Sequence, residues 1–117
     1  MNTKSVTECY LEALKSGAKW SDFFHDDMTF ISHVAPPKLV KGKAAFLEST
    51  RRFYSMIAGV EVTALIVEEG RACALTRYKL QVPQGPSFGT EVAEIFKIVD
   101  GKIVSFEIYF DSAPFPK

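Results

Sequence analysis

The sequence lacks several features that mark common classes of function. Its 14 Lys and Arg residues are balanced by 14 Asp and Glu residues, so no net charge attracts nucleic acid or an anionic membrane surface. It contains no basic run, glycine-rich phosphate loop, nucleophile elbow or dinucleotide-binding fingerprint. We therefore expect neither nucleic-acid binding nor an organic cofactor.

Cysteine and long apolar runs are also scarce. Cys9 and Cys73 are far apart and form no CxxC pair, so we expect reduced thiols rather than a disulfide. No apolar stretch approaches the roughly 18–20 residues that a membrane-spanning helix requires. Residues 1–4 are polar, where a signal peptide would lead into an apolar core. These absences predict a cytoplasmic protein with no membrane partner.

The consecutive residues His25, Asp26 and Asp27 are of the types that bind metal ions. Because they are consecutive, their side chains cannot all converge on one ion from the end of a helix. We therefore interpret them as solvated loop residues, and the sequence predicts no metal site.

Aromatic residues, in contrast, are abundant. The 117 residues include 10 Phe, 4 Tyr and 1 Trp, and hydrophobic residues make up 47% of the chain. This length fits one domain, spanning residues 1–117, with enough apolar material for a core. Aromatic side chains bury large areas, and they line a core or a pocket equally well.

Helical periodicity is confined to the first half of the chain. The predicted helices cover residues 5–16, 20–24 and 43–57. The first begins with Ser5 and Glu8, which have the spacing of a capping box. It ends before Gly17, which suits a left-handed stop. The third has an apolar stripe that includes Phe53 and Tyr54.

Strand signals dominate the second half. Strands are predicted at residues 28–34, 60–69, 71–82, 88–99 and 102–111, with an edge strand or loop at 38–42. Turn residues, among them Asp100 and Gly101, make the last four strands antiparallel neighbours. Helices on one face of such a sheet define an α+β fold, and long strands coil. We predict a cone-shaped, curved antiparallel sheet wrapped over three helices, with an internal apolar pocket.

Glu94 is the residue that alternation singles out. Along residues 88–99 it shares a face with Phe88 and Phe96, whereas Glu91 faces the other way. A carboxylate on an apolar face is costly unless it is paired or neutral, and desolvation raises its pKa. The sequence therefore predicts either a buried basic partner for Glu94 or a neutral carboxyl group.

The order of elements and several short phrases resemble the nuclear transport factor 2-like superfamily, which includes ketosteroid isomerases and SnoaL-like polyketide cyclases. The phrases are residues 6–14, 24–30, 41–46, 96–106 and 109–111. The likeness covers nearly the whole chain and implies the fold. It implies no single activity, because the superfamily includes isomerases, hydrolases, cyclases, dehydratases, transport factors and binding modules.

The resemblance also implies candidate catalytic residues. Tyr10 matches the tyrosine that donates a hydrogen bond to the developing oxyanion in ketosteroid isomerases, and Glu94 matches their protonated aspartic acid. Their catalytic aspartate falls at Ser32, which cannot act as a base, while the adjacent His33 is of the residue type that commonly transfers protons near neutral pH. Asp111 is another candidate, because some SnoaL-like cyclases carry an acid-base aspartate near the end of their final strand.

Each candidate also has a purely structural interpretation. Tyr10 would be a core residue bonded to a backbone carbonyl, His33 a solvated side chain, and Asp111 the cap of a turn. Alternation allows only one of Ser32 and His33 to face inward.

Three functions remain open. The first is a cofactor-free enzyme that enolises an apolar carbonyl compound, in which Tyr10 and Glu94 polarise the oxygen and His33 or Asp111 moves the proton. The second is a binding module for a small apolar molecule. The third is a scaffold that forms homodimers through the outer face of its sheet. That face would carry Cys73, Leu75, Ile95 and Val99. The residues expected to line the pocket are Phe30, Ser32, Phe53, Phe88, Phe96, Phe106 and Phe110.

Overall fold

The computed structural model describes residues 2–34 and 38–115. Its helical elements are α1 (Thr3–Ser16), a single 3₁₀ turn (Trp20–Phe23) and α2 (Lys43–Ser55). Its strands are β1 (Phe24–Ser32), β2 (Lys38–Lys41), β3 (Ile57–Glu68), β4 (Arg71–Gln81), β5 (Ser87–Val99) and β6 (Lys102–Phe110). The α+β class predicted from the sequence is confirmed.

The six strands form one sheet in the order β2-β1-β6-β5-β4-β3. The predicted run of sequential antiparallel hairpins is confirmed for β3 to β6. The sheet as a whole is mixed rather than antiparallel, because β1 pairs with β6 in parallel. No hairpin joins these two strands, so local turn signals do not determine their relative direction.

The helical prediction needs two corrections. The predicted second helix is a single 3₁₀ turn, since only a few residues separate Gly17 from the start of β1. The cap of α1 is Asn2, whose side chain accepts a hydrogen bond from the Ser5 backbone N–H, so the capping box at Ser5 is wrong. The left-handed stop at Gly17 is confirmed, with φ of 73°. Within the described residues, no helix is long and apolar enough to cross a membrane.

The core lies between the two helices and the inner face of the sheet. Burial alternates strictly along β5, where Val92, Glu94, Phe96 and Ile98 are buried and the intervening Lys97 is exposed. The predicted face of Glu94 is therefore confirmed. The turn between β5 and β6 is also as predicted, since Asp100 and Gly101 both have positive φ.

Strand β6 departs from simple alternation at one point. Lys97 pairs with Ser105 and Ile98 pairs with Ile103, so Val104 is an extra residue in the ladder. The bulge lets Ile103 and Phe106 both face the core, where both are buried. Simple alternation from Phe106 would place Val104 on the inner face, and the bulge prevents this.

Candidate functional site

An apolar cavity of about 200 Å³ lies between helix α2 and the inner face of the sheet. Five strands and the helix contribute to its wall. The lining residues are Phe30, Ser32, Lys38, Ser49, Thr50, Phe53, Tyr54, Tyr78, Val92, Glu94, Phe106, Ile108 and Phe110. Most of this wall is hydrocarbon, so the few polar side chains in it determine what chemistry the cavity supports.

Local periodicity explains why these side chains converge. On α2, Thr50, Phe53 and Tyr54 are three and four residues apart and share one face of the helix. On the sheet, Glu94 pairs with Ile108 of β6, and Ile108 pairs with Ser32 of β1. Side chains of residues paired in this way stand on the same face, which here is the inner one.

Glu94 is the buried acid of this wall, with a relative exposure of 1%. The Tyr78 hydroxyl donates to Oε1 at 2.9 Å, and Thr76 Oγ1 lies 2.8 Å from Oε2. No ion pair among the described residues includes Glu94. Burial raises the pKa of its carboxyl to about 7, and the hydrogen bonds from Thr76 and Tyr78 lower it only in part. The sequence allows either a basic partner or a neutral carboxyl group at position 94. Among the described residues, Glu94 has no basic partner.

The Thr76 hydroxyl can serve both protonation states of Glu94. It lies 2.8 Å from Glu94 Oε2 and 3.2 Å from the Val92 carbonyl oxygen, yet it has only one proton to donate. When Glu94 is ionised, Thr76 donates to the carboxylate. When Glu94 is protonated, the carboxyl donates to Thr76, and Thr76 donates to Val92. Either state is hydrogen-bonded, which suits a group that gains and loses a proton near neutral pH.

The other polar feature is a pair of phenols, Tyr10 and Tyr54, whose hydroxyl oxygens are 2.8 Å apart. Tyr10 is fully buried behind the cavity wall, where Phe24 and Phe96 pack edge-on against its ring. Either hydroxyl could donate, and neither has another hydrogen-bond partner among the described residues. Because only Tyr54 faces the cavity, donation from Tyr10 to Tyr54 is the arrangement that leaves no buried proton unpaired. Tyr54 lines the cavity, and its own proton stays available to a ligand.

The same burial keeps both phenols neutral. Desolvation is the main cause that raises the pKa of Tyr10 and of Tyr54 well above the usual value for tyrosine. Across the physiological range Tyr54 is therefore a hydrogen-bond donor and not a base.

Two candidate residues, His33 and Asp111, do not line the cavity. Ser32 faces inward, so the next residue, His33, faces outward, where its Nε2 lies 2.7 Å from Glu107 Oε1. The imidazole also stacks on Tyr109, with ring centroids 4.3 Å apart. Asp111 is exposed just beyond β6, and its Oδ1 accepts a hydrogen bond from the Ala113 backbone N–H at 3.0 Å. Alternation along β1 places His33 on the outer face. Asp111 lies outside the cavity because β6 ends before it.

Most of the residues expected to line the pocket do so. These are Phe30, Ser32, Phe53, Phe106 and Phe110. Phe96 instead lies fully buried beneath Phe106, with ring centroids 5.1 Å apart. Phe88 lies near the far end of β5, where its ring packs against Phe115 at 4.9 Å.

Two phenols of the site were not among the expected residues, although the sequence carries a signal for each. Tyr78 follows Ala72, Ala74 and Thr76 on every second position of β4, all of them buried. That alternation, together with the hairpin to β5, places Tyr78 near Glu94. Tyr54 belongs to the apolar stripe of α2. Lys38 has no comparable signal, since β2 is only four residues long.

The described part of the chain contains no group of side chains suited to binding a metal ion. Among residues 2–34 and 38–115, no three His, Cys, Asp or Glu side chains are grouped so that they could hold a metal ion. His25 Nδ1 accepts a hydrogen bond from the Asp27 backbone N–H at 3.0 Å. Among the lining side chains, Glu94 can transfer a proton and Tyr54 can donate a hydrogen bond to a ligand.

A family model for SnoaL-like domains matches residues 8–106. No curated protein matches the sequence. A solved structure described as a candidate isomerase from Bacillus subtilis has a TM-score of 0.80 at 18% identity, covering 95% of this chain and 90% of that one. A candidate SnoaL-like polyketide cyclase from Jannaschia sp. CCS1 has a TM-score of 0.77 at 16% identity, covering 97% of this chain and 94% of that one.

A third similar structure is a hypothetical protein from Catenulispora acidiphila with a ketosteroid isomerase-like fold, solved in complex with trimethylamine. Its TM-score is 0.71 at 17% identity, covering 89% of this chain and 83% of that one. At such identities these likenesses show the fold alone. The resemblance inferred from the sequence is confirmed.

Proposed function

The chain belongs to the SnoaL-like domain family, and we propose that it is a cofactor-free enzyme that enolises a small apolar carbonyl compound. One observation carries this proposal. A buried carboxyl group with a pKa near 7 and a phenol with an available proton stand in the wall of the same apolar cavity. A base and an oxyanion donor in a dry site are the two groups that enolisation requires.

The proposed reaction starts with Glu94 ionised. Its carboxylate removes a proton from the carbon beside the carbonyl, and the C–H electron pair forms the enolate, with negative charge on oxygen. Tyr54 donates a hydrogen bond to that oxygen, and the bond from Tyr10 to Tyr54 makes Tyr54 a better donor. Glu94 then returns the proton to a different carbon in an isomerisation. In a cyclisation or a dehydration, the enolate instead reacts further.

This mechanism reassigns two roles that the resemblance implies. Glu94 takes the place of the base, because His33 and Asp111 lie outside the cavity, and within the described residues Glu94 is the only carboxylate that lines it. Tyr54 takes the place of the donor, with Tyr10 supporting it from behind.

Proton exchange in D₂O tests the proposal. We would incubate 2-tetralone, a two-ring ketone, with the protein and follow loss of the signals of the protons beside the carbonyl by NMR. Glu94→Gln should slow the catalysed exchange by about 10²–10⁴-fold. Glu91→Gln is the matched control, since Glu91 is on the same strand but exposed on the outer face. Equal exchange in wild type and Glu94→Gln would refute the role of Glu94. Binding of the ketone without any exchange would favour the binding module.

A second proposal concerns the outer face of the sheet, which we suggest is the contact surface of a homodimer. Of the four residues predicted there, Leu75 and Val99 are exposed at 40% and 47%, and Cys73 and Ile95 are partly buried. Ile66, paired with Cys73, extends the apolar surface across the next strand. Light scattering should show a dimer for wild type and a monomer for Leu75→Lys. A wild-type monomer at micromolar concentration would refute this proposal.

A further inference from the structure

The cavity has two chemically different ends, and a row of paired residues runs across the sheet from one end to the other. Glu94 pairs across the sheet with Ile108, Ile108 with Ser32, and Ser32 with Lys38. These four residues form one row on the inner face, and all four line the cavity. The row spans three strand spacings, so its ends are about 14 Å apart at the Cα atoms.

Burial changes along this row. Glu94 is fully buried, Ser32 is partly buried and Lys38 is exposed. The acid therefore stands at the closed end, and the ammonium group stands at the mouth. No ion pair among the described residues includes Lys38. Its positive charge is not neutralised by a neighbouring carboxylate of this part of the chain.

The size of the cavity limits the ligand. Its volume of about 200 Å³ is a little larger than the ~150 Å³ of an engineered apolar cavity that binds benzene. It is smaller than the ~300 Å³ at which pockets for drug-sized ligands begin. One or two rings fit this volume, and a four-ring skeleton does not.

Charge sets the direction in which such a ligand enters. An anionic group next to the ionised Glu94 would be repelled in surroundings of low polarity. At the mouth, the same group meets the Lys38 ammonium and the Ser32 hydroxyl, which are cross-strand neighbours. A carboxylate would receive charge-assisted hydrogen bonds there and remain in contact with water.

Building on the proposed function, we propose that the substrate is a one- or two-ring carbonyl compound that carries a carboxylate at the end opposite the reacting oxygen. The carboxylate binds Ser32 and Lys38, the rings lie against Phe30, Ile108 and Phe106, and the oxygen reaches Tyr54. Lys38 is then a specificity residue, because it selects acids over neutral compounds of the same shape.

Two probes that differ only in the carboxylate test this inference. 2-Naphthol and 6-hydroxy-2-naphthoate share a two-ring skeleton, and their hydroxyl stands in for the enol oxygen. Dissociation constants would be measured by fluorescence titration for wild type, Lys38→Gln and Lys41→Gln. Lys41 is the matched control, since it is exposed on the same strand and pairs with Thr29 rather than with an inward-facing residue.

Wild type should bind the naphthoate about fivefold more tightly than naphthol, a modest factor because Lys38 is exposed. Lys38→Gln should abolish this preference by weakening naphthoate binding, and Lys41→Gln should keep it. Added salt should reduce the preference in wild type. A preference that survives in Lys38→Gln, or wild type that binds neither probe, would overturn the inference. Neither result depends on turnover, so a failure here is distinct from failure of the exchange experiment.

Discussion

The two faces of the sheet provide opposite surroundings for a carboxylate, and strand β5 carries one carboxylate on each face. Glu91 lies on the outer face, where Arg77 Nε donates to its Oε1 at 2.8 Å and both side chains are more than half exposed to water. Glu94, three residues later, lies on the inner face, where its hydrogen-bond donors among the described residues are the neutral hydroxyls of Thr76 and Tyr78. A neutral hydroxyl compensates a buried charge less well than a guanidinium does.

The difference shows why position on a strand, and not residue type, makes an acid available for chemistry. On the outer face, an opposite charge and water stabilise the ionised form. On the inner face, desolvation opposes ionisation and the hydroxyl donors favour it, so the pKa of Glu94 is about 7. This contrast between the two faces predicts measurable effects of different size.

The largest expected effect is on stability at alkaline pH. Folding raises the pKa of Glu94 from 4.5 to about 7. Glu94 therefore contributes fully to stability below about pH 4.5, and this contribution is lost as pH rises through about 7. At about pH 9 the loss is about 3 kcal/mol, because each tenfold difference between the acid dissociation constants of the folded and unfolded states is worth about 1.4 kcal/mol.

Glu94→Gln removes the titrating group, and Gln can still hydrogen-bond Thr76 and Tyr78. We expect this variant to be more stable than wild type by about 3 kcal/mol at about pH 9 and equal to it near pH 4. Urea unfolding at both pH values measures the difference. Glu91→Gln should show no such divergence. If wild type and Glu94→Gln have parallel pH profiles, the carboxyl is not desolvated as the geometry requires.

The second effect is on the pH dependence of exchange. If ionised Glu94 is the base, the rate with 2-tetralone should rise on the order of 100-fold from about pH 5 to pH 8 and level off above about 7. The enzyme-catalysed rate is obtained by subtracting exchange in buffer alone. A rate that falls as pH rises would mean that protonated Glu94 acts as an acid, which is the role that the resemblance implies.

The third effect separates the two phenols. Tyr54→Phe removes the donor that faces the ligand, and we expect the exchange rate to fall about 10²-fold. Tyr10→Phe only weakens that donor, so a loss of about tenfold is expected, with little change in KM. A loss in Tyr10→Phe as large as that in Tyr54→Phe would place the substrate oxygen on Tyr10 instead.

The sequence predicts a residue of this site when a regular pattern within one strand determines which face its side chain occupies. Glu94 and its face could be predicted because β5 alternates over 13 residues without a bulge. Tyr78 could have been predicted in the same way from β4. The Val104 bulge was not predictable, because an extra residue in one strand appears only against its partner.

The position of His33 depends on pairing between strands that are distant in the sequence. Strand β1 ends at Ser32, and the pairing of Ser32 with Ile108 of β6 determines which of the two neighbours faces inward. The paired residues of these strands lie more than 70 residues apart in the sequence, and no turn connects the strands directly. The role of Tyr54 depends on its contact with Tyr10, which joins two helices. Contacts of this kind carry no signature in a single sequence.

The smallest expected effect concerns His33, and it tests the sidedness of the sheet most directly. The imidazole and Glu107 are partly exposed on the outer face, 2.7 Å apart. His33→Gln should therefore lower stability by only about 0.5 kcal/mol. The exchange rate of 2-tetralone should stay within about twofold of wild type, because the side chain cannot reach the cavity. Asp111→Asn should behave in the same way, since its carboxylate caps a turn outside the cavity. A loss of exchange in His33→Gln comparable to that in Glu94→Gln would mean that the inner and outer positions at the end of β1 are interchanged, and Ser32 would then lose its place beside Lys38.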